Sequence, residues 1–158
     1  MNKYLKLGIS VGICLLAGFI GSVATTPSIT TWYVTLKKPF FTPPNWLFAP
    51  AWTTLFILMG VALWLVWLKG WKKKEVQPAL FIFGTQLALN ILWSLVFFGL
   101  HLPSVAVLVI LTLWIAILLT IIRFLKVSQL AGFLLIPYLM WVSFATLLNA
   151  GVALLNPF

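Results

Sequence analysis

The sequence has 158 residues, of which 63% are hydrophobic and 7% are charged, and its mean hydropathy is +1.16. Because a soluble domain carries about 25% charged residues, this composition excludes a water-soluble globular domain and indicates a membrane protein. Ten Lys and Arg residues against one acid, Glu75, give a formal charge of +9. These cations form short clusters between apolar stretches, without the basic stripe typical of nucleic-acid binding. The single cysteine, Cys14, excludes a disulfide within the chain.

Five apolar stretches are long enough to cross a bilayer, which needs about 20 residues of helix. They are Leu7–Thr26, Trp46–Leu68, Pro78–Leu100, Pro103–Phe124 and Gln129–Leu155. The alternating pattern of β-strands is absent from the sequence, so we expect an all-α integral membrane protein, a single domain over residues 1–158 folded as a five-helix bundle. The segment from Pro27 to Asn45 is expected to form a long loop, since its four prolines prevent a continuous helix.

The first span allows two interpretations. Lys3 and Lys6 before an apolar run that ends in Ser22-Val23-Ala24 are also typical of a cleaved secretory signal, but the length of the run favours a retained helix. Small residues recur along this span at helical spacing: Gly8, Gly12, Ala17 and Gly21. Such a face predicts close packing, either against other helices of the same chain or against a second copy.

The basic residues predict the orientation in the membrane. In a five-span bundle the N-terminus, the loop around Lys69–Lys74 and the loop around Arg123–Lys126 share one side and hold eight cations, whereas the other side holds only Lys37 and Lys38. The positive-inside rule therefore places the N-terminus in the cytoplasm and the Pro-rich loop outside. Lys72–Lys74 would also attract anionic headgroups or an acidic ligand near the membrane surface.

The spans lack the residues of conventional acid–base chemistry. Glu75 lies in the basic loop, and His101 precedes Pro103 in a turn, where a structural or interfacial role is expected. Clusters of metal ligands and nucleophile–base pairs are missing from the sequence, so we expect neither a metal nor a cofactor. A small proton-coupled antiporter is disfavoured, because it would need a carboxylate within the membrane.

Aromatic residues make up 16% of the chain and include nine Trp. Trp32, Trp46, Trp67 and Trp71 lie near span ends, where indole rings prefer the membrane interface. Three deeper helix faces combine aromatic, small and polar residues at a spacing of four: Trp52, Phe56, Gly60 and Trp64; Gln86, Asn90 and Ser94; Pro137, Trp141, Ala145 and Asn149. The amides on these faces are expected to point into the bundle, either as interhelical hydrogen bonds or as polar anchors in an aromatic ligand pocket.

Several segments closely resemble the TspO/MBR family of tryptophan-rich sensory proteins, whose mitochondrial member is the translocator protein. The resemblance covers nearly the whole chain in the right order. Its segments are WYVTLKKPFFTPP from Trp32, FAPAWT from Phe48, LNILWS from Leu89 and LIPYLMW from Leu135, the last followed by Phe144-Ala145-Thr146 and Leu148-Asn149.

This resemblance implies a five-helix bundle, commonly a homodimer, with a pocket beneath the first loop that binds porphyrins such as protoporphyrin IX. By motif position, the implied ligand-binding residues are Tyr33, Pro43, Trp52, Asn90, Trp93, Trp141 and Ala145. The implied function is a membrane receptor or sensor for such ligands. Two alternatives stay open: an enzyme that degrades porphyrin with light and oxygen, with Trp52 and Trp141 as catalytic residues, or a transporter of porphyrins or other amphipathic solutes.

One departure from the family concerns cholesterol. Mitochondrial members are associated with a Leu/Val, Tyr, Lys/Arg pattern near the end of the fifth helix, whereas the stretch from Ala145 to Phe158 has neither Tyr nor a basic residue. Cholesterol recognition through this motif is therefore not expected. A member of bacterial type in a plasma membrane is favoured over one in the mitochondrial outer membrane.

Overall fold

The computed structural model describes residues 1–157, and five segments in it are long and apolar enough to cross a membrane, which confirms the predicted all-α membrane fold. Strands are absent from these residues. The helices are α1 (Lys3–Ile29), α2 (Phe48–Leu68), α3 (Val76–Ser94), α4 (Pro103–Val127), α5 (Gln129–Leu134) and α6 (Ile136–Leu155). Helices α5 and α6 together form the fifth span.

Helix α1 is longer at both ends than the predicted span Leu7–Thr26. Its first turn is capped by Asn2, whose Oδ1 accepts a hydrogen bond of 2.9 Å from the Tyr4 N–H. At the other end the helix continues through Pro27, because a proline in the last turn removes a single backbone hydrogen bond. The loop therefore begins at Thr30 rather than at Pro27, and it holds two short 3-10 turns, Tyr33–Thr35 and Asn45–Leu47.

The fifth span is interrupted at Leu135, which the hydropathy of the sequence does not reveal. Pro137 has no N–H with which to continue the α-helical hydrogen bonds. Instead the Leu135 N–H donates to the Gly132 carbonyl over three residues (3.2 Å), and α6 then begins at Ile136. The break lets α5 pack against α2 and α4, while α6 continues along α4.

The helices follow one another around the bundle in the order α1, α2, α5 with α6, α4 and α3. We call the end that holds Lys69–Glu75 the basic end, and the end covered by residues 30–44 the loop end. At the basic end α1 and α2 pack closely: a Cβ on Gly60 would lie 2.5 Å from the Cα of Val11, and the Trp64 indole N–H donates to the Lys3 carbonyl (2.9 Å). The bundle is therefore tightly closed at the basic end.

The small residues of α1 do not form one interface. Ala17 is buried, and a Cβ on Gly21 would lie 3.2 Å from Ser94 Oγ, so this half of the face packs within the chain. Gly8 and Gly12 are exposed, and a Cβ on either would meet no atom within 4 Å. Packing within the chain thus explains only the part of the face nearer to the loop end.

A candidate ligand pocket at the loop end

A cavity of about 380 Å³ opens at the loop end between α1, α2, α3 and α6, within the range of about 300–1,000 Å³ typical of small-molecule sites. Ten of its 27 lining residues are aromatic, and they come from the loop and from all four helices. The aromatic lining residues are Phe19, Tyr33, Phe48, Trp52, Phe56, Trp93, Phe97, Phe98, Trp141 and Phe144.

Trp52 is at the centre of this aromatic wall. Its ring centroid lies 6.1 Å from that of Trp93, 6.4 Å from that of Trp141 and 6.4 Å from that of Tyr138. These separations are those of aromatic pairs in contact, and the Trp141 ring is nearly perpendicular to Trp52, at 89°. Indoles from three helices thus present faces and edges to one space.

A π-helical turn supplies the part of the cavity wall next to the loop. Helix α3 continues into one such turn over Leu95–Gly99, where the Leu100 N–H donates to the Leu95 carbonyl at 2.8 Å. This turn changes the helical register, and both Phe97 and Phe98 line the cavity. Their ring centroids lie 6.5 and 5.8 Å from that of Tyr33 in the loop.

A chain of buried polar side chains begins at the cavity wall with Asn90. Asn90 Nδ2 donates to the Tyr138 hydroxyl (2.7 Å), which in turn donates to Gln86 Oε1 (2.8 Å). Gln86 Nε2 lies 3.8 Å from Met59 Sδ. This chain joins α3, α6 and α2, and it confirms that Gln86 and Asn90 point into the bundle, since both are buried.

A second polar group connects the wall to α4. The Trp93 indole N–H donates to Asn149 Oδ1 (3.0 Å), and Asn149 Nδ2 donates to the Pro103 carbonyl (2.8 Å). Asn90, Trp93 and Asn149 also line the cavity. Asn90 and Asn149 therefore both join helices and border the cavity, whereas Gln86 joins helices without lining it.

Trp141 differs from these residues. Its indole nitrogen is buried and has no hydrogen-bond partner within residues 1–157. An unpaired donor of this kind costs about 1–3 kcal/mol relative to a paired one. The Trp141 ring contacts Phe48 and Phe144, at centroid distances of 6.3 and 5.7 Å, so its position is fixed by packing alone.

The loop places a phenol and a cation beside the cavity. Burial raises the pKa of Tyr33 to about 12, so its hydroxyl stays protonated at neutral pH. The Lys38 Nζ lies 4.9 Å from the centroid of the Tyr33 ring and donates to the Leu36 carbonyl (3.1 Å). A positive charge therefore stands next to an apolar cavity.

The loop is held in this position by the end of α6. Asn156 accepts a hydrogen bond from the Lys37 N–H (3.0 Å) and donates one to the Lys37 carbonyl (2.7 Å). Beside this pair Pro39 lies so close to Gly151 that a Cβ on the glycine would overlap the proline ring. We call this pair of contacts the loop latch.

The cavity also has a side lined by residues of α1 and α2. Ser22, Thr25 and Thr26 of α1 face it, as do Ala49 and Thr53 of α2. Several of these residues are exposed on the surface of the bundle, as is Phe19, so the cavity reaches the surface between the two helices. The α1 and α2 helices, which touch at the basic end, stand on either side of this opening.

Six of the seven residues predicted to bind ligand line the cavity: Tyr33, Trp52, Asn90, Trp93, Trp141 and Ala145. Pro43 lies in the loop outside the cavity wall. The α1 residues of the wall were missed, although Gly18, Ser22, Thr25 and Ile29 recur at helical spacing and would have indicated a small and polar face. Groups of three or more metal-ligating side chains are absent from residues 1–157.

The fold and this site define a membrane protein of five spans with an aromatic-lined cavity at one end. The sequence profile of the TspO/MBR family matches residues 10–155, and the chain belongs to that family. The tryptophan-rich protein TspO of Chlorobaculum tepidum is 49% identical over 99% of this chain and 100% of its own length. The protein of the same name from Archaeoglobus fulgidus is 48% identical over 96% and 97%. The human translocator protein is 40% identical over 83% of this chain and 78% of its own.

Proposed function

We propose that this protein is a membrane receptor that binds flat, aromatic, amphipathic ligands of the porphyrin type in the loop-end cavity. The observation that carries the proposal is the cluster of three indoles around Trp52, in a cavity of about 380 Å³. Macrocycles of this kind stack on aromatic faces, and such pairs contribute about 0.5–1.5 kcal/mol beyond the burial of apolar area. A relative from Cereibacter sphaeroides, 38% identical over 86% of this chain, is named a tryptophan-rich sensory protein, which supports a receptor.

The polar groups of the site define what such a ligand should carry. Asn90 and Asn149 already have partners within the protein. The Trp141 N–H has none, but this nitrogen is itself buried, so Trp141 would contact a ligand through its ring. Lys38, beside Tyr33, would face an acidic substituent such as a propionate at the mouth of the cavity.

The opening between α1 and α2 supports entry from the lipid phase. Its rim combines Phe19 with the small side chains of Ser22, Ala49 and Thr53, and it lies within two membrane-spanning segments. A hydrophobic ligand dissolved in the bilayer would therefore reach the cavity without crossing the loop. The loop latch would meanwhile keep Tyr33 and Lys38 in place over the bound ligand.

The proposal is tested by titrating protoporphyrin IX into the purified full-length protein and following tryptophan quenching. We expect saturable quenching, with weaker affinity in Tyr33→Ala and Trp141→Phe. Trp71→Phe is the matched control, because Trp71 is an exposed indole in the loop at the basic end. Quenching that does not saturate, or equal affinity in all four proteins, would exclude a specific site in this cavity.

We also propose that the N-terminus is cytoplasmic, as in a bacterial plasma membrane, on the basis of the eight basic residues at the basic end against two at the loop end. The chain has one cysteine, Cys14, and it is buried. Lys74→Cys and Lys37→Cys, each made in a Cys14→Ala background, would report the orientation. A thiol reagent that cannot cross the membrane, added to intact cells, labels only the cysteine that faces outward. Labelling at position 37 alone is expected, and labelling at position 74 alone would reverse the assignment.

A further inference from the structure

A second concavity lies on the outer surface of the bundle between α3 and α4, near the basic end. It is a shallow groove of about 620 Å³, formed by the first turns of α3 and the last turns of α4. Six residues line it: Gln77, Pro78, Phe81, Ile82, Leu119 and Arg123. The groove is at the opposite end of the bundle from the aromatic cavity and shares no residue with it.

The chemistry of the groove changes with depth in the membrane. Gln77 and Arg123 are its two polar residues. Phe81 and Leu119 each lie four residues further into the spans, which is about 6 Å deeper at 1.5 Å per residue. Phe81 is 78% exposed, so a large aromatic face lies open along the groove. The groove therefore has a polar end near the membrane surface and an apolar floor below it.

The charge around the polar end is strongly positive. Arg123 is exposed, and the basic end holds eight Lys and Arg residues against the single acid of the chain, Glu75. The Gln77 Nε2 donates to the Trp71 carbonyl at 3.4 Å. This bond connects the head of the groove to the loop that carries Lys72–Lys74.

We propose that this groove binds an anionic phospholipid. The headgroup phosphate lies at Arg123 and Gln77, since a guanidinium can hold two phosphate oxygens at once. One acyl chain lies along Phe81, Ile82 and Leu119. A zwitterionic lipid fits the apolar floor equally well but leaves the excess positive charge without compensation, and each basic residue near an anionic membrane surface contributes about 1 kcal/mol.

A second copy of the chain is a poorer occupant. In a symmetric contact each copy presents the same patch to the other, so the cationic ends would face each other. Like charges placed together in this way oppose association. An anionic lipid supplies the opposite charge and an apolar chain in one molecule, which matches both parts of the groove.

The test uses the purified full-length protein and native mass spectrometry, with phosphatidylglycerol and phosphatidylcholine of identical acyl chains as probes. Wild type is expected to retain phosphatidylglycerol in preference to phosphatidylcholine. Arg123→Gln should weaken phosphatidylglycerol binding by about tenfold, because it removes a charge-assisted contact with the headgroup phosphate. Lys126→Gln is the matched control, because Lys126 is an exposed cation of the same helix end that does not line the groove, and it should retain wild-type binding.

A second variant tests the apolar half. Leu119→Trp fills the apolar floor of the groove without a change of charge, and it should reduce binding of phosphatidylglycerol. In wild type, glycerol phosphate at the same concentration as the lipid should fail to compete, because it has no acyl chain. Equal losses in Arg123→Gln and Lys126→Gln would show diffuse attraction instead of a site. Equal retention of the two lipids by wild type would also overturn the proposal. So would a protein dimer that dissociates in Leu119→Trp but does not dissociate when lipid is added, because a second copy would then occupy the groove. None of these outcomes depends on porphyrin binding.

Discussion

The two ends of the α1–α2 pair pack in opposite ways. At the basic end Gly60 admits the backbone of Val11, and Trp64 donates to Lys3 across the seam. At the loop end the same helices carry Ser22 and Trp52 and border a cavity. Close packing at the basic end depends on Gly60, which has no side chain, whereas at the loop end the hydroxyl side chains of Ser22, Thr25 and Thr53 border an open space.

The largest effect is expected when a methyl group is added where α1 and α2 pack closely at the basic end. In Gly60→Ala the new Cβ would lie 2.5 Å from the Val11 Cα, and a backbone atom cannot move aside as a side chain can. We expect a loss of about 1–3 kcal/mol, the usual cost of overpacking, measured as the unfolding free energy in detergent. Gly84→Ala is the control, since no atom lies within 4 Å of its new Cβ. Equal stability of the two variants would contradict the packing described for the seam.

The next largest effect concerns the buried hydrogen bonds that join Asn90, Tyr138 and Gln86. Tyr138→Phe removes a hydroxyl that accepts from Asn90 and donates to Gln86. We expect a loss of stability of about 1 kcal/mol, since interhelical hydrogen bonds in membrane proteins average somewhat below this value and reach about 1.7. Thermal unfolding of the variant beside Tyr4→Phe, whose ring is exposed, would measure the difference. An unchanged melting temperature would show that the buried hydrogen bonds do not hold α3 to α6.

The fold was predictable to a large extent because the bilayer restricts the chain to helices of a known length. The five spans follow from hydropathy, and Gln86, Asn90 and Asn149 were expected inside because amides need partners in hydrocarbon. The break at Leu135 and the π-turn at Leu95–Gly99 were not predicted. Both depend on the backbone register within an otherwise uniform apolar run, to which hydropathy is insensitive.

The candidate site was predicted in part for a related reason. Tryptophan and asparagine are conspicuous in a membrane segment, so Trp52, Asn90 and Trp141 could be selected from the sequence. The α1 side of the cavity consists of Gly18, Ser22 and Thr25, which are common in any membrane helix and carry no chemical signal of their own. Their role follows only from where α1 separates from α2.

At the loop latch, which covers the open end, we expect an effect on ligand binding and almost none on stability. In Gly151→Ala the added methyl overlaps Pro39, so the loop must move away from α6 and take Tyr33 with it. We expect binding of protoporphyrin IX to weaken by up to about 1.4 kcal/mol, tenfold in Kd, with little change in melting temperature. Gly12→Ala serves as a control with open space around its Cβ. Wild-type affinity in Gly151→Ala would mean that the loop position does not matter for the site.

The smallest effect on stability should come from Trp141, although it lies in the cavity wall. Trp141→Phe removes a donor that has no partner within residues 1–157 and also part of the ring's packing; because the two effects oppose each other, we expect a net change within about 0.5 kcal/mol. Trp93→Phe removes the bond to Asn149 and should cost more. Unfolding free energies of the two variants test this difference. Equal losses of stability in Trp141→Phe and Trp93→Phe would show that Trp141 has a structural role like that of Trp93.

The central claim is that the open end holds space for a ligand. The most direct test is the Kd of protoporphyrin IX for Ala145→Leu, a substitution that adds bulk inside the cavity wall, beside Ala88→Leu, which adds the same bulk on the exposed face of α3. We predict a loss of at least about tenfold, 1.4 kcal/mol, in Ala145→Leu and wild-type affinity in Ala88→Leu. Wild-type affinity in a folded Ala145→Leu protein would place the ligand elsewhere and contradict the claim.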